Sequence, residues 1–170
     1  MAHVNSFSPV AGESATCLIL GSMPGRASLD AHQYYAHERN AFWPIMSTLL
    51  GFSLELPYAD RCNELLRHGV ALWDVLRACE RPGSLDSAII VPSMVANDFA
   101  GFYHQHRHIR QVYFNGATAE KVYGKHVKPL LTSAFATIPT ARLPSTSPAH
   151  AAMSYQEKLA RWRVLAALGA

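Results

Sequence analysis

Thr16-Cys17-Leu18-Ile19-Leu20-Gly21-Ser22-Met23-Pro24-Gly25 begins as an apolar run and stops abruptly in a loop of glycine and proline. A short apolar run bounded by turn residues reads as a strand buried on both faces, the kind found in parallel sheets. Working outward, residues 70–75, 111–114 and 134–138 repeat the strand pattern. Helical segments fall between and after them: residues 44–50 with Pro44 in the first turn, 58–67 stopped by Gly69, 84–90, 97–106 with Asn97 as N-cap, and 117–126. Residues 21 to about 40 read as a long loop. Ser154-Tyr155-Gln156-Glu157 is a capping box that opens a last helix running to about residue 168. Strands alternating with helices predict an α/β fold, with a mainly parallel four-stranded sheet covered on both faces.

At 170 residues and 49% hydrophobic, the chain has enough apolar material for one core, and one domain over residues 1–170 is expected. No apolar stretch approaches the roughly 18 residues of a membrane span. The first residues carry no basic flank followed by an apolar segment, so no secretory signal is expected. Cys17, Cys62 and Cys79 are odd in number and widely spaced, which suits reduced thiols in a cytoplasm and argues against a disulfide framework or a four-cysteine cluster. Charge is unevenly spread. Residues 1–100 hold 6 Lys/Arg against 10 Asp/Glu, whereas residues 101–170 hold 9 against 2. A basic half fits a polyanionic partner, because phosphate contacts supply much of the affinity for nucleic acid; a solvated surface is the plainer alternative.

Loops at the carboxyl ends of parallel strands are where such sheets bind ligands. One is residues 21–25; another is Leu143-Pro144-Ser145-Thr146-Ser147-Pro148-Ala149-His150. Together they read as two halves of a nucleotide pocket, with the aromatics Tyr34, Tyr35, Phe42 and Trp43 beside the first. Asp74, ending a strand, is costly to bury without a partner. It either caps a neighbouring turn or reads a ligand. His104, His106 and His108 lack the spacing and companions of a metal site and read as a surface tract. Ser22 with His37 or His150 makes no nucleophile elbow.

Three blocks resemble the uracil-DNA glycosylase superfamily, and most closely its hypoxanthine (DNA-deoxyinosine glycosylase) branch. They are residues 21–25 with 34–43; Ala71-Leu72-Trp73-Asp74-Val75 with Glu80-Arg81-Pro82-Gly83-Ser84; and residues 143–150. The resemblance implies a three-layer α/β/α fold and monofunctional base excision. It also carries a departure: the mismatch branch has an asparagine at the third position of its first motif, where this chain has Met23. Asn40, which by spacing alone is a helix cap, matches the position of the hypoxanthine branch's catalytic asparagine. It is the expected catalytic residue, positioning water and presenting a dipole to the sugar.

The resemblance further implies a base pocket of Ser22, Met23, Tyr35, Phe42 and Asp74. Phe42 is the expected stacking surface, Tyr35 lines the pocket, and Trp43 belongs to the core. Asp74 aligns with an asparagine that reads the base edge in uracil-specific relatives. Its acceptor would suit the N1–H of hypoxanthine and oppose the N1 lone pair of adenine; guanine and uracil must be excluded by shape. Ser145, Thr146 and Ser147 would grip phosphates, with Pro148 and Ala149 where relatives place the wedge; Ala149 is small, so either His150 takes part or the wedge is weak. The expectation is therefore a monomeric glycosylase acting on deaminated bases in DNA, with no metal or cofactor and no lyase step. The alternatives are a mismatch-type uracil/thymine-DNA glycosylase, a non-catalytic protein that binds damaged DNA, and, more remotely, a small hydrolase of free nucleotides.

Overall fold

A computed structural model describes residues 2–169; the outer limits of the expected domain, Met1 and Ala170, lie outside the described residues. In chain order the elements are β1 (His3–Asn5), β2 (Cys17–Gly21), α1 (Arg26–Ala31), α2 (Phe42–Leu50), α3 (Tyr58–Arg67), β3 (Val70–Asp74) and β4 (Leu76–Glu80). They continue with β5 (Val95–Ala96), α4 (Phe99–Gln105), β6 (Gln111–Asn115), α5 (Ala117–His126), α6 (Ser133–Ala136), β7 (Thr140–Leu143) and α7 (Tyr155–Trp162). The main sheet has the order β3-β2-β6-β7 with every pair parallel. A second sheet, β1-β4-β5, is antiparallel.

Side chains of β2 divide between two cores, as the two-residue repeat of a strand requires. Leu18 and Leu20 face Phe99, Phe102, Tyr103, Val122 and Tyr123 of α4 and α5. Cys17 and Ile19 face Phe42, Ile45, Leu65, Leu159 and Trp162 of α2, α3 and α7. The result is the expected three-layer α/β/α arrangement. Strand order reverses around β2: β3 lies on one side, β6 and β7 on the other. Loops leaving the carboxyl ends at such a point diverge and leave a crevice.

The expected strand at residues 134–138 is a helical turn instead. Phe135 and Ile138, three apart, pack on one core, and Thr137 Oγ1 donates to the Ser133 carbonyl at 2.8 Å, both helical relations. The fourth strand is β7, an edge strand with three of its four residues exposed. Residues 84–90 form only a short 3-10 turn, Asp86–Ala88, and residues 26–31 of the expected loop are the helix α1. Asp98, not Asn97, caps α4, accepting from the Gly101 N–H at 3.0 Å. Asn97 Nδ2 donates to the Asp74 carbonyl at 2.8 Å and holds the end of β3. The capping box holds: Ser154 Oγ accepts from the Glu157 N–H at 3.2 Å.

Trp162 is fully buried, meets the Phe42 ring edge-on at 6.0 Å, and donates its indole N–H to the Pro144 carbonyl at 2.9 Å. It joins α7 to α2 and to the loop after β7. Replacing Trp162 by Ala is expected to cost about 3–5 kcal/mol, lowering the melting temperature by roughly 10 °C. A calorimetric shift of only a degree or two would mean the layer tolerates the cavity.

Candidate active site

Four strands end in register at one rim of the sheet: Gly21 opposite Asp74, and Asn115 opposite Leu143. Pairing of the first two continues into the loop, where the Val75 N–H donates to the Gly21 carbonyl at 2.8 Å and the Leu76 N–H to that of Ser22 at 3.1 Å. Gly21 permits the close approach that follows. A methyl group on it would lie 2.6 Å from Asp74 Oδ1 and 3.0 Å from the Tyr35 hydroxyl. The absent side chain thus lets a carboxyl and a phenol converge on one point of backbone.

Asp74 is 3% exposed. Burial, and after it the nearby charge of Asp86, raises its pKa to about 7, against an opposing pull from Arg81. Tyr35 lies with φ 56, a left-handed conformation costing a tyrosine about 1–2 kcal/mol and maintained only where its surroundings impose it. Its ring stacks on Phe42 with centroids 4.2 Å apart. Burial, then Asp74, pushes its hydroxyl pKa upward, so the phenol keeps its proton. Among the described residues the buried side-chain polar atoms without a hydrogen-bond partner are Tyr35 Oη, Asp74 Oδ2 and Arg81 Nη1. All three belong to this rim. Buried polar groups are nearly always paired, so two donors and one acceptor left unspent here suit a polar ligand.

Arg81, given no role by sequence, is 1% exposed. It donates to the Pro24 carbonyl at 2.6 Å and the Gly83 carbonyl at 2.9 Å, tying the loop after β2 to the turn after β4. Ser22 is also tied down, its hydroxyl donating to Asp86 at 2.7 Å. Met23 turns into the core beside Leu18 and Leu20; of this residue only the backbone can meet a ligand. Phe42 is fully buried, enclosed by Tyr35, Trp43 and Trp162. It offers no open face, whereas Tyr35, stacked on it, is partly exposed. Trp43 is core, its indole N–H on the Tyr34 carbonyl at 2.9 Å.

Asn40 lies two residues before the first residue of α2, with Ala41 at the N-cap position between them, and its Oδ1 accepts from the Phe42 N–H at 2.9 Å. Its side chain thus satisfies the first N–H of the helix from just outside the N-cap that spacing alone assigned to it, with an oxygen lone pair and the amide N–H groups still free. It lines a cleft of about 300 Å³ with Pro148, His150, Tyr155 and Lys158. Asp74 does not line that cleft. Tyr35 connects the two positions, stacked on Phe42 at one side and reaching Gly21 and Asp74 with its hydroxyl. A larger hollow, about 600 Å³ beside Thr16, Arg107 and Arg110, lies at the amino ends of β2 and β6, away from these loops.

The loop of residues 143–150 is fastened by Asn115, a residue sequence reading left as the start of a turn. Asn115 Oδ1 accepts from the Thr146 N–H, and its Nδ2 donates to Thr146 Oγ1, both at 2.9 Å; the Thr146 carbonyl accepts from the Ala41 N–H at 3.0 Å. Thr146, expected at phosphates, is 1% exposed and serves as an internal strut. Ser145 and Ser147 accept from the N–H groups of Ser147 and Ala149 at 3.2 and 3.1 Å, which leaves both hydroxyl protons for outside acceptors. Pro148 and His150 border the cleft, while Ala149 is exposed. Elsewhere, His104 pairs with Arg107 at 2.9 Å and His106 with the Gly12 carbonyl at 3.2 Å.

A family model described as the uracil DNA glycosylase superfamily matches residues 9–168. The chain is 37% identical over 111 residues to a hypoxanthine DNA glycosylase of Methanosarcina barkeri, covering 65% of this chain and 69% of that one. It is 35% identical over 114 residues to a hypoxanthine DNA glycosylase of Methanosarcina acetivorans, covering 66% and 71%. A solution NMR structure of a Methanosarcina acetivorans protein, described as a candidate uracil DNA glycosylase, superposes with a TM-score of 0.77 at 30% identity, covering 96% of this chain and 98% of that one.

Asp74 makes a pH signature. Its folded pKa of about 7 exceeds the ordinary 3.8, so the folded state holds the proton longer, and stability falls as pH rises from about 4 to about 7. In Asp74→Asn this loss is expected to vanish. Melting temperatures of both proteins across that range check it; parallel curves would return Asp74 to an ordinary carboxylate.

Proposed function

The chain belongs to the uracil DNA glycosylase superfamily, and from that premise we propose that it excises hypoxanthine, hydrolysing the N-glycosidic bond of deoxyinosine to leave an abasic site. As a family member it is a DNA glycosylase, a hydrolase of N-glycosyl bonds. The supporting observation is the unspent acceptor of Asp74 at the floor of the crevice, together with the hypoxanthine DNA glycosylases among its relatives. Adenine differs from hypoxanthine at the edge this acceptor would face. Hypoxanthine offers N1–H, whereas adenine offers a lone pair, and two facing acceptors in a buried site leave both unsatisfied.

The target nucleotide leaves the stack at a cost of a few kcal/mol, least for a mispaired base. Its base lies on the open face of Tyr35, with the edge toward Asp74 and the backbone N–H groups of Ser22 and Met23. The C1′–N9 bond breaks with its electron pair departing on the purine. Water held by the Asn40 amide adds to C1′, and the proton it loses is balanced by protonation of the departing purine. Phe42 keeps Tyr35 in place, and the hydroxyls of Ser145 and Ser147 take phosphates beside the lesion. Pro148, Ala149 and His150 border the vacated stack; with so small a side chain as Ala149, filling it falls largely to His150. The enzyme would act as one domain over residues 1–170, monomeric and cytoplasmic, without metal or cofactor. Among the described residues no helix is long and apolar enough to cross a membrane. Uracil also presents an N–H between carbonyls, so mismatch-type uracil excision is the second reading.

Duplexes carrying a single inosine, uracil, xanthine or normal base, treated with alkali after incubation, separate the two readings. Hypoxanthine release is expected; release of uracil alone would transfer the assignment. Asn40→Ala should lower single-turnover excision at least a hundredfold with duplex binding little changed, and an unaltered rate would remove Asn40 from the reaction. Because the ionised carboxyl is the form that accepts N1–H, kcat/KM for inosine should fall about tenfold per unit below pH 7. The profile of Asp74→Asn should be flat there.

A further inference from the structure

Lys158 stands outside every motif quoted above, yet it is placed where the motifs meet. It lies on the inward face of α7 and is 5% exposed. Its ammonium donates to the Ser147 carbonyl at 3.2 Å. It lines the same cleft as Asn40 and His150. Among the described residues no carboxylate lies within ion-pairing distance of it. An ammonium has three donor protons, and one carbonyl accounts for one of them. Burying a cation without a counter-charge is costly, and burial lowers the pKa of Lys158 accordingly. Such a group becomes favourable when an anion enters beside it.

We propose that Lys158 binds a DNA phosphate next to the everted nucleotide, with the unspent donors of its ammonium directed into the cleft beside Asn40. The proposal rests on the reading of the chain as a DNA glycosylase and adds a backbone ligand that sets the sugar over the catalytic amide. The Ser147 carbonyl fixes the ammonium in advance, so little side-chain freedom is lost when phosphate arrives. The Ser145 and Ser147 hydroxyls provide neutral donors from the same loop; Lys158 provides the charge. The buried ammonium sets the register of the backbone.

A purely structural lysine, bracing the Ser147 carbonyl, is the competing role, and salt dependence tells them apart. Each phosphate neutralised releases counterions, contributing about −0.9 to the slope of log K against log salt on duplex DNA. Binding of undamaged and inosine duplexes is measured from about 50 to 200 mM salt, in an Asn40→Ala background to prevent turnover. Lys158→Met should weaken binding on the order of tenfold at the low end and flatten the slope by about one on both duplexes. Lys158→Arg, which keeps the charge, should preserve the slope. An unchanged slope in Lys158→Met, or a slope equally flattened in Lys158→Arg, would overturn the proposal and leave Lys158 as a brace. Should Lys158→Met fail to fold by circular dichroism, Lys158→Gln takes its place. Binding to undamaged DNA does not depend on which base is excised, so failure of the hypoxanthine assignment leaves this test intact.

Discussion

The close approach of Asp74 and Tyr35 at Gly21 governs the rest of the crevice. Gly21 is the last residue of the central strand, and any side chain there would collide with a carboxyl oxygen at 2.6 Å. Because β2 pairs with β3 in parallel register, the Asp74 carboxyl is delivered opposite that bare position without any loop to aim it. Tyr35 arrives from the other direction, held in a left-handed backbone conformation and backed by Phe42. A carboxylate in so dry a place resists ionisation, and a phenol beside it resists still more. Asp74 ionises only at about pH 7 while Tyr35 keeps its proton, so above that pH the pair offers one acceptor and one donor to a neutral base.

Around that point the loops are restrained by side chains that bond to the backbone and to one another. Arg81 holds the loop after β2 to the turn after β4, and Asn115 clasps Thr146 through two hydrogen bonds of equal length. The Thr146 carbonyl in turn receives the N–H of Ala41, so the segments bearing Asn40 and Ser145 share one fastening. Catalysis by positioning tolerates errors of only fractions of an ångström, and these internal ties supply that rigidity. They also explain why Thr146 is unavailable to DNA: its polar groups are spent on the scaffold.

Legibility of the sequence followed burial. β2, β3 and β6 are apolar enough to be read directly, whereas β7 is an exposed edge with no apolar pattern, and its place was given to the neighbouring Phe135 and Ile138. The small antiparallel sheet escaped notice because β1 and β5 are three and two residues long, too short to show alternation. Motifs located Asn40, Asp74 and the last loop. They did not show that Phe42 is fully enclosed, which follows only from the packing of α2 against α7. Arg81 lies in a quoted motif that gives it no role, and Asn115 follows directly on an apolar strand; only the tertiary contacts reveal what they hold.

The hydrogen bond from the Phe42 N–H to Asn40 fixes more than a helix boundary. A carboxamide is nearly symmetrical in shape, so a free one could turn end for end and present nitrogen where oxygen belongs. Here the backbone proton accepts no such reversal, and the amide's polarity is assigned before any substrate arrives. On the proposed reading, the group that holds water is thereby oriented by the first turn of α2. Fraying that turn, by a lesion anywhere along its packed face, would free the carboxamide to turn while leaving every residue identity around it unchanged.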